Sequence, residues 1–212
     1  MADMTAEGDV GIGLRERKKR ETRLALNQAT IRLCIERGWD NVTVEDIAAA
    51  ANVSVRTFRN YFSSKAEAIA AGHLERALRI AEELRARPGS EPLWDSIVNA
   101  VQAQFAPGGE TGAESPGARR WRDALRLLLA EPALQGEVLK ANAAAQDELA
   151  KAVAERTGTD VAHDLYPRLV AAVVGAGSAV ALEHCLRADP PIPLAPLLRE
   201  VFAQLAAGLP VP

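Results

Sequence analysis

Residues 43–65, TVEDIAAAANVSVRTFRNYFSSK, determine how this chain is interpreted, because they contain two short predicted helices and a tight turn. The first helix is expected over 44–51, and the Thr before it, with an Asp three residues later, resembles a capping box. Asn52 lies where the chain must turn, and asparagine tolerates a positive φ better than most residues. Ser54 is a favourable N-cap for the second helix, expected over 55–61. This spacing predicts a helix-turn-helix unit.

The two faces of this predicted unit differ in character. Ile47, Val53, Phe58 and Phe62 can form a small core beneath it, and Ala48 allows the two helices to approach closely. In a helix-turn-helix unit the second helix enters the major groove of DNA with its N-terminal residues on the base edges, while the first helix braces it. The residues left facing outward are Val55, Arg56, Thr57, Arg59 and Asn60.

The composition of the 212 residues favours an all-α fold. The chain is 48% hydrophobic but only 4% aromatic, and alanine, which has the highest helix propensity, is abundant. Residues 1–13 are expected to form a disordered leader, and 107–117 a loop. Apolar periodicity and capping residues predict about nine helices, at 16–37, 44–51, 55–61, 65–87, 92–105, 118–130, 133–157, 160–187 and 194–207.

The net charge of −3 conceals an asymmetry along the chain. Residues 14–65 carry 11 Lys and Arg against 6 Asp and Glu, so this segment is basic while the rest of the chain is acidic. A basic segment on an acidic body indicates a module that binds a polyanion, joined to a domain with a different role. The alternative is that the basic run at 15–20 is simply the solvated start of a helix.

Residues 20–67, with their motifs TVEDIA, VSVRTF and YFSSK, resemble the DNA-binding domain of the TetR/AcrR family of bacterial transcriptional regulators. The resemblance implies a three-helix N-terminal domain, a helical C-terminal domain that dimerises and holds an effector, and control of DNA binding by that effector. We therefore expect a helix-turn-helix DNA-binding domain at 14–64 and a ligand-binding and dimerisation domain at 65–212 of a homodimer. Asn52 stands where the family usually has Gly, and Cys34 where it often has an aromatic residue.

The resemblance also implies a set of DNA contacts. Lys65 matches a position where the family places a phosphate-contacting lysine, and helix N–H groups favour the same anion. Arg56 and Thr57 are candidate base readers, because Arg pairs with guanine and the Thr methyl group suits thymine. Arg59 stands where the family often has Tyr, and an arginine at this position favours a charge-assisted contact to phosphate. The predicted DNA-binding residues are Thr43, Val55, Arg56, Thr57, Arg59, Asn60, Tyr61 and Lys65. Each of three residues also has an alternative without DNA: Thr43 can simply cap its helix, Tyr61 can simply pack in the core, and Lys65 can simply be solvated.

The predicted helix over 160–187 contains a run of small and apolar residues, AAVVGAGSAV. Such a helix has no polar face, so it requires a core on one side and a second helix close to the other. With the amphipathic helix over 194–207, and as the resemblance implies, it is expected to form a four-helix contact between two protomers. The alternative is the central helix of a monomer. The predicted dimer-interface residues are Gly175, Gly177, Val180, Leu198 and Phe202.

An effector pocket is expected among the helices over 92–157. Its candidate lining carries few charges, which indicates a largely apolar ligand, although each residue can equally fill the core. Residues 118–187 also resemble the C-terminal domain of actinobacterial regulators related to the mycofactocin-system regulator, a group that includes acyl-CoA responders. Arg119, Arg120, Arg122 and Arg126 could then meet a CoA phosphate. The candidate lining residues are Trp94, Ile97, Val101, Phe105, Trp121, Leu125, Leu128, Leu139 and Asn142.

Metal and enzyme chemistry find no support in the sequence. Cys34 and Cys185 are too few and too far apart for a disulfide framework or a zinc site, and His73, His163 and His184 lack metal-ligand spacing. No P-loop, nucleophile motif or dinucleotide-binding motif occurs, so neither a cofactor nor catalysis is predicted. Without a signal peptide or a membrane-length apolar run, the protein is expected in the cytoplasm.

The function predicted from these observations is a ligand-responsive transcriptional regulator. It is expected to repress by binding a palindromic operator as a homodimer, and to be released by a small, largely apolar effector. The alternative is an α-helical enzyme or adaptor in which the helix-turn-helix unit is only structural.

Overall fold

The computed structural model describes residues 6–105, 116–189 and 192–210, with side chains from residue 13 onward apart from those of residues 105, 116, 118, 121, 124 and 128. Within these ranges the ordered elements are helices and no strand occurs, which confirms the all-α class. The helices are α1 (Ala6–Arg37), α2 (Val44–Ala50), α3 (Val55–Tyr61), α4 (Lys65–Ala86), α5 (Leu93–Phe105), α6 (Pro116–Ala130), α7 (Pro132–Thr157), α8 (Leu165–Arg187) and α9 (Leu194–Ala206).

The first helix is longer than its sequence predicts. It begins at Ala6, whereas the expected start was near residue 16, so residues 6–13 of the expected disordered leader are helical. Residues 1–5 lie outside the described part of the chain. The helix formers at 15–20 favour propagation towards the N-terminus, and each glycine in the segment costs only about 1 kcal/mol relative to alanine. Residues 106–115, most of the predicted loop, also lie outside the described residues.

Helix α8 begins at Leu165 and not at the predicted residue 160. Pro167 has no N–H group and is tolerated only in the first turn of a helix, so the helix cannot start a turn earlier. Residues 160–164 form a turn instead. The backbone N–H of Asp160 donates to Asp164 Oδ2 at 2.7 Å, and the N–H of Ala162 donates to Asp160 Oδ1 at 2.7 Å.

The local signals around the helix-turn-helix segment act as predicted. Thr43 forms a capping box with Asp46, and Ser54 caps α3 by accepting a hydrogen bond from the N–H of Thr57. Asn52 has a φ of 54°, and Gly38 ends α1 with a φ of 82°. These caps and left-handed residues place the C-terminal end of α1 and the starts of α2 and α3 at the positions that the sequence indicates.

The chain divides into two compact units, Met1–Gly72 and His73–Pro212, and α4 runs through the boundary. In the first unit, Leu26 and Leu33 of α1 lie in one core with Ile47, Phe58 and Phe62. Asn27 is buried with them, and its Nδ2 donates to the carbonyl oxygens of Ala68 and Ile69 at 2.8 and 3.2 Å. This buried amide ties α1 to the start of α4.

The core of the second unit is built around α8 and α9. Helix α8 packs against α7 and α9, and α9 packs against α5. Gly177 allows the closest approach, because a Cβ atom there would lie 2.9 Å from the side chains of Val201 and Leu205. By length and composition α8 is apolar enough to cross a membrane, but the core helix of a soluble protein meets the same criterion.

Candidate DNA interface and effector region

The predicted base-reading side chains lie on the surface of α3. Arg56, Arg59 and Asn60 are exposed, whereas Val55, Thr57 and Tyr61 are half-buried. The hydroxyl group of Thr57 lies 2.8 Å from that of Ser54, so part of its hydrogen-bonding capacity is used at the helix N-cap. The arginines and the asparagine are therefore available to DNA, and the threonine presents mainly its methyl group.

Two phenylalanines fix the orientation of α3. Phe58 and Phe62 are 0% and 1% exposed, and their ring centroids lie 5.8 Å apart. The guanidinium group of Arg23 lies 5.1 Å from the centroid of the Phe62 ring, a cation–π distance that links α1 to the end of α3. Because both rings are locked in the core, the opposite face of α3 is held outward as a rigid surface.

Lys65, the first residue of α4, is held by the connection between α1 and α2. Its Nζ donates to the backbone carbonyl oxygens of Trp39 and Val42, the latter at 3.0 Å, and lies 4.2 Å from the centroid of the Trp39 ring. An ammonium group has three N–H donors, so one remains for a phosphate. The phosphate contact of Lys65 stays a prediction, and the structure adds a role in positioning the segment that leads into Thr43.

Thr43 is exposed, and its hydroxyl group both donates and accepts a hydrogen bond in the cap of α2. Its Oγ1 donates to Asp46 Oδ2 at 2.6 Å and accepts from the Asp46 N–H at 3.2 Å. The hydroxyl group and the backbone N–H of Thr43 both donate to Asp46 Oδ2, and these two hydrogen bonds, with the nearby charge of Arg37, lower the pKa of Asp46. Capping therefore accounts for this residue without a DNA contact.

The predicted pocket residues differ in their exposure, and their role as one pocket lining stays a prediction. Ile97 and Val101 are buried in the core, Leu139 is 70% exposed, Leu125 is half-buried, and Asn142 bonds to His73. The side chains of residues 105, 121 and 128 lie outside the described part of the chain. Trp94 lines an apolar groove of about 330 Å³ between α5, α8 and the end of α9, together with Tyr166, Leu169, Val170, Val173, Leu205, Gly208 and Leu209.

The predicted dimer-interface residues need a correction. Leu198 and Phe202 are 1% and 0% exposed, and Gly177 is buried against α9, so these three belong to the core of the second unit. The amphipathic face of α9 is used inside the chain, and the sequence pattern alone could not distinguish this from use between chains. Gly175 is half-buried and Val180 is exposed.

A different face of α8 lies on the surface. Exposed apolar residues recur there at helical spacing over about four turns of the helix. This α8 stripe consists of Leu165, Leu169, Ala172, Ala176, Ala179 and Val180, all exposed. An exposed apolar stripe of this length is typical of a helix that packs against a partner.

The structure also reveals a basic face on α4 that the sequence analysis missed. His73, Arg76 and Arg79 follow one another at three-residue spacing, so they lie on adjacent turns of the helix. His73 Nε2 lies 2.6 Å from Asn142 Oδ1 on α7, and Arg79 Nε donates to Gln104 Oε1 on α5 at 2.8 Å. The signal in the sequence is the three-residue spacing itself.

The arginines at the start of α6 are mostly on the surface. Arg119, Arg120 and Arg126 are exposed, and Arg126 pairs with Asp123 at 3.5 Å. Arg122 is half-buried. Burial raises the pKa of the Cys185 thiol, and the positive charge of Arg122 opposes this rise.

Comparison with known proteins gives the same division of the chain. Residues 26–71 match the family described as bacterial regulatory proteins, tetR family, and residues 91–210 match the MftR C-terminal domain. The HTH-type transcriptional regulator TcmR of Streptomyces glaucescens is 33% identical over 84% of this chain and 80% of its own length. The mycofactocin biosynthesis transcriptional regulator MftR of Mycobacterium tuberculosis is 30% identical over 91% of this chain and 93% of its own.

Solved structures share the fold. A TetR-family transcriptional regulator of Syntrophomonas wolfei superposes with a TM-score of 0.63 at 18% identity, covering 91% of this chain and 98% of its own. FadR of Thermus thermophilus, in complex with lauroyl-CoA, superposes with a TM-score of 0.54 at 20% identity, covering 90% and 96%. The chain belongs to the TetR family of bacterial transcriptional regulators, which bind DNA operators as dimers and respond to small-molecule effectors.

Proposed function

We propose that this protein is a repressor that binds a palindromic operator as a homodimer through α3 and is released by an amphipathic or apolar effector. The observation that carries the proposal is the rigid, exposed face of α3. Arg56, Arg59 and Asn60 stand on a helix whose other side is locked by Phe58 and Phe62. In this proposal residues 14–64 supply the DNA interface, and the function is binding without catalysis, in the cytoplasm.

Two protomers meet, in this proposal, through the α8 stripe. Leu165 and Leu169 are 85% and 60% exposed, and the alanines that follow let a partner helix approach closely. Because each protomer presents one α3, a two-fold dimer favours an operator with two similar half-sites. Lys65 and Thr43 position the unit in this arrangement, while the arginines of α3 contact the DNA.

The second unit is the proposed effector-binding unit. Its match to the MftR C-terminal domain and the lauroyl-CoA bound by the Thermus FadR support an acyl-CoA or another ligand with an acyl chain. The exposed arginines Arg119 and Arg120 are available to CoA phosphates on the surface. Residues 118–187, which carry the resemblance, include both of them.

A gel shift with the DNA upstream of the protein's own gene tests the proposal. The wild-type protein is expected to shift this DNA and not random DNA of equal length, and an acyl-CoA is expected to release it. Lack of preference for any sequence at physiological salt would contradict the repressor function.

The variant Arg56→Ala tests the base-reading assignment. We expect a loss of about 1–3 kcal/mol in operator binding and a relaxed preference at one base position, because Arg is the usual partner of guanine. Competition with operators mutated one base at a time measures this preference. An equal loss of affinity for operator and random DNA would instead make Arg56 a backbone contact.

A further inference from the structure

Helix α1 continues beyond the core of the first unit towards the N-terminus. From residue 26 onward one side of the helix is buried, and Leu26, Thr30 and Leu33 recur on it at intervals of three and four residues. Between residues 13 and 25, by contrast, every residue is exposed or half-buried. This outer part of α1 therefore lies outside the core, although it belongs to the same helix.

The side of α1 that faces the core becomes basic in this outer part. Arg15, Lys19 and Arg23 follow one another at four-residue spacing, and Leu26 comes three residues after the last of them. Residues three and four apart share a face of an α-helix, so these three lie in line with the buried residues. We call them the α1 basic stripe. A face that is apolar inside the domain is thus positively charged where the helix leaves it.

Contacts of α1 place the inner end of this stripe beside the predicted reading helix. The guanidinium carbon of Arg23 lies 5.1 Å from the centroid of the Phe62 ring, and Phe62 is the C-cap of α3. Arg59 and Asn60, which precede it on α3, are exposed. An α-helix rises about 1.5 Å per residue, so Arg15 lies about 12 Å along α1 from Arg23. The stripe therefore starts at the end of α3 and extends about two turns away from it.

The charges of the outer part of α1 are only weakly compensated. Residues 15–23 contain six Lys and Arg against two Glu. Lys19 pairs with Glu16 at 4.0 Å, but the two side chains are 61% and 67% exposed, so this ion pair contributes little and is easily exchanged. Among the described residues, no carboxylate pairs with Arg15. Both cations are therefore available to an anionic partner.

The chemistry of this segment fits DNA better than a membrane surface. A helix that lies on a lipid bilayer needs an apolar face that enters the headgroup boundary. Residues 15–23, RERKKRETR, contain no apolar residue. Each strand of DNA presents one phosphate for about every 3.4 Å of its axis, so cations spread along a helix can each meet a phosphate of their own.

We propose that Arg15 and Lys19 bind phosphates of the DNA as a second surface beside α3, and that Arg23 positions α1 by packing on Phe62. This proposal rests on the proposed DNA-binding role of the first unit, and it extends the interface from α3 to α1. Phosphate contacts carry no sequence information directly. The stripe therefore increases the affinity for operator and random DNA alike.

The test measures how DNA affinity depends on salt. Full-length protein is titrated into a fluorescent duplex of random sequence and into operator DNA, and anisotropy gives the binding constants between low and physiological salt. For Arg15→Gln and for Lys19→Gln we expect the slope of log K against log salt concentration to fall by about 0.9 per protomer bound, on both DNAs. Lys19→Arg keeps the charge and should keep the slope.

Arg17→Gln is the matched control. Arg17 lies two residues from Arg15, which is about 200° around the axis of an α-helix, and it pairs with Glu21 at 3.7 Å. This variant removes the same charge from the same turn but from another face, so it should lower the slope by clearly less. Thermal unfolding verifies that each variant is folded.

Three results would overturn the proposal. The first two are an unchanged slope in Arg15→Gln or Lys19→Gln, and an equal fall of the slope in Arg17→Gln. The third is binding of the wild-type protein to vesicles of anionic phospholipid that Lys19→Gln abolishes while its DNA slope is kept, which would identify a lipid surface as the partner.

Failure of the repressor function has a different signature. It would appear as a lack of preference of the wild-type protein for operator over random DNA. The slopes on random DNA would still decide whether the α1 basic stripe contacts phosphates.

Discussion

The ammonium group of Lys65 makes two hydrogen bonds inside the protein before any DNA is bound. The carbonyl oxygens of Trp39 and Val42 accept from it, and the indole ring of Trp39 lies under it. A lysine that closes a loop in this way contributes to DNA binding mainly by fixing the loop. Its effect should then differ from that of an arginine that faces the solvent.

We predict that Lys65→Gln weakens operator and random DNA binding alike but changes the salt dependence little. Each phosphate contact contributes about 0.9 to the slope of log K against log salt concentration, because neutralising a phosphate releases a counterion. The slope should fall by clearly less than this amount, as measured by fluorescence anisotropy between low and physiological salt.

Arg59→Gln is the matched comparison, because Arg59 is exposed on α3. If Arg59 contacts a phosphate, this variant should lower the slope by about 0.9. A fall of about 0.9 in the same slope for Lys65→Gln would show that Lys65 also contacts a phosphate of the DNA.

At the scale of elements, α8 and α9 are close because one residue has no side chain. A Cβ atom on Gly177 would lie 2.9 Å from both Val201 and Leu205, closer than side-chain atoms normally approach. We predict that Gly177→Ala lowers the free energy of unfolding by about 1–3 kcal/mol, because the two helices must separate. Urea denaturation measures the change.

Gly136→Ala is the control for this prediction. Gly136 lies in α7, and nothing surrounds the position where its Cβ would stand. Alanine there should stabilise the protein by about 0.4–1 kcal/mol, because it favours the helix over the unfolded chain. An equal change in the free energy of unfolding for Gly177→Ala and Gly136→Ala would contradict the close approach of α8 to α9.

A polar network joins α4, α5 and α7 around Glu91. Glu91 bonds to Arg87, Ser96 and Asn99, and Arg156 donates to the carbonyl oxygens of Pro88 and Glu91. The hydrogen bond from Arg87, followed by those from Ser96 and Asn99, lowers the pKa of Glu91 from 4.5 to about 2. The ionised carboxylate therefore stabilises the folded chain.

The sign of the pH dependence follows from this lowered pKa. The stabilisation is complete above pH 4.5 and is lost as the pH falls from 4.5 towards 2, because the unfolded chain takes up the proton first. We predict that Glu91→Gln lowers stability at pH 7 and flattens its dependence on pH between 5 and 3. Urea midpoints across this range measure it, and an unchanged slope in the variant would show that Glu91 is not coupled to folding.

For the whole molecule, the exposed α8 stripe decides the oligomeric state in the proposed arrangement. We predict that Leu169→Glu converts the dimer to a monomer at micromolar concentration and weakens operator binding, because one protomer occupies only one half-site. Sedimentation velocity measures the mass.

Leu139→Glu is the control for the dimer prediction, since Leu139 is a leucine of α7 that is 70% exposed and lies outside the stripe. This variant should remain dimeric. A dimer that survives Leu169→Glu would place the interface elsewhere.

Local signals in the sequence determined the helix-turn-helix segment almost residue by residue. A capping Thr, an Asn able to adopt positive φ and a capping Ser act within a few residues of each other, so no distant contact is needed to place them. The all-α class followed equally from composition and periodicity. The start of α8 was also encoded locally, by Pro167, although the apolar pattern pointed to an earlier residue.

Only the tertiary structure decided which apolar face meets which partner. Periodicity shows that α8 and α9 each have a buried side, but not whether the burial is within one chain or between two, and so Leu198 and Phe202 were assigned to the wrong surface. The hydrogen bonds of Lys65 to a loop and of His73 to Asn142 join residues far apart in sequence. Their geometry depends on how the helices pack, because a side chain's partners are set by the elements that packing brings beside it.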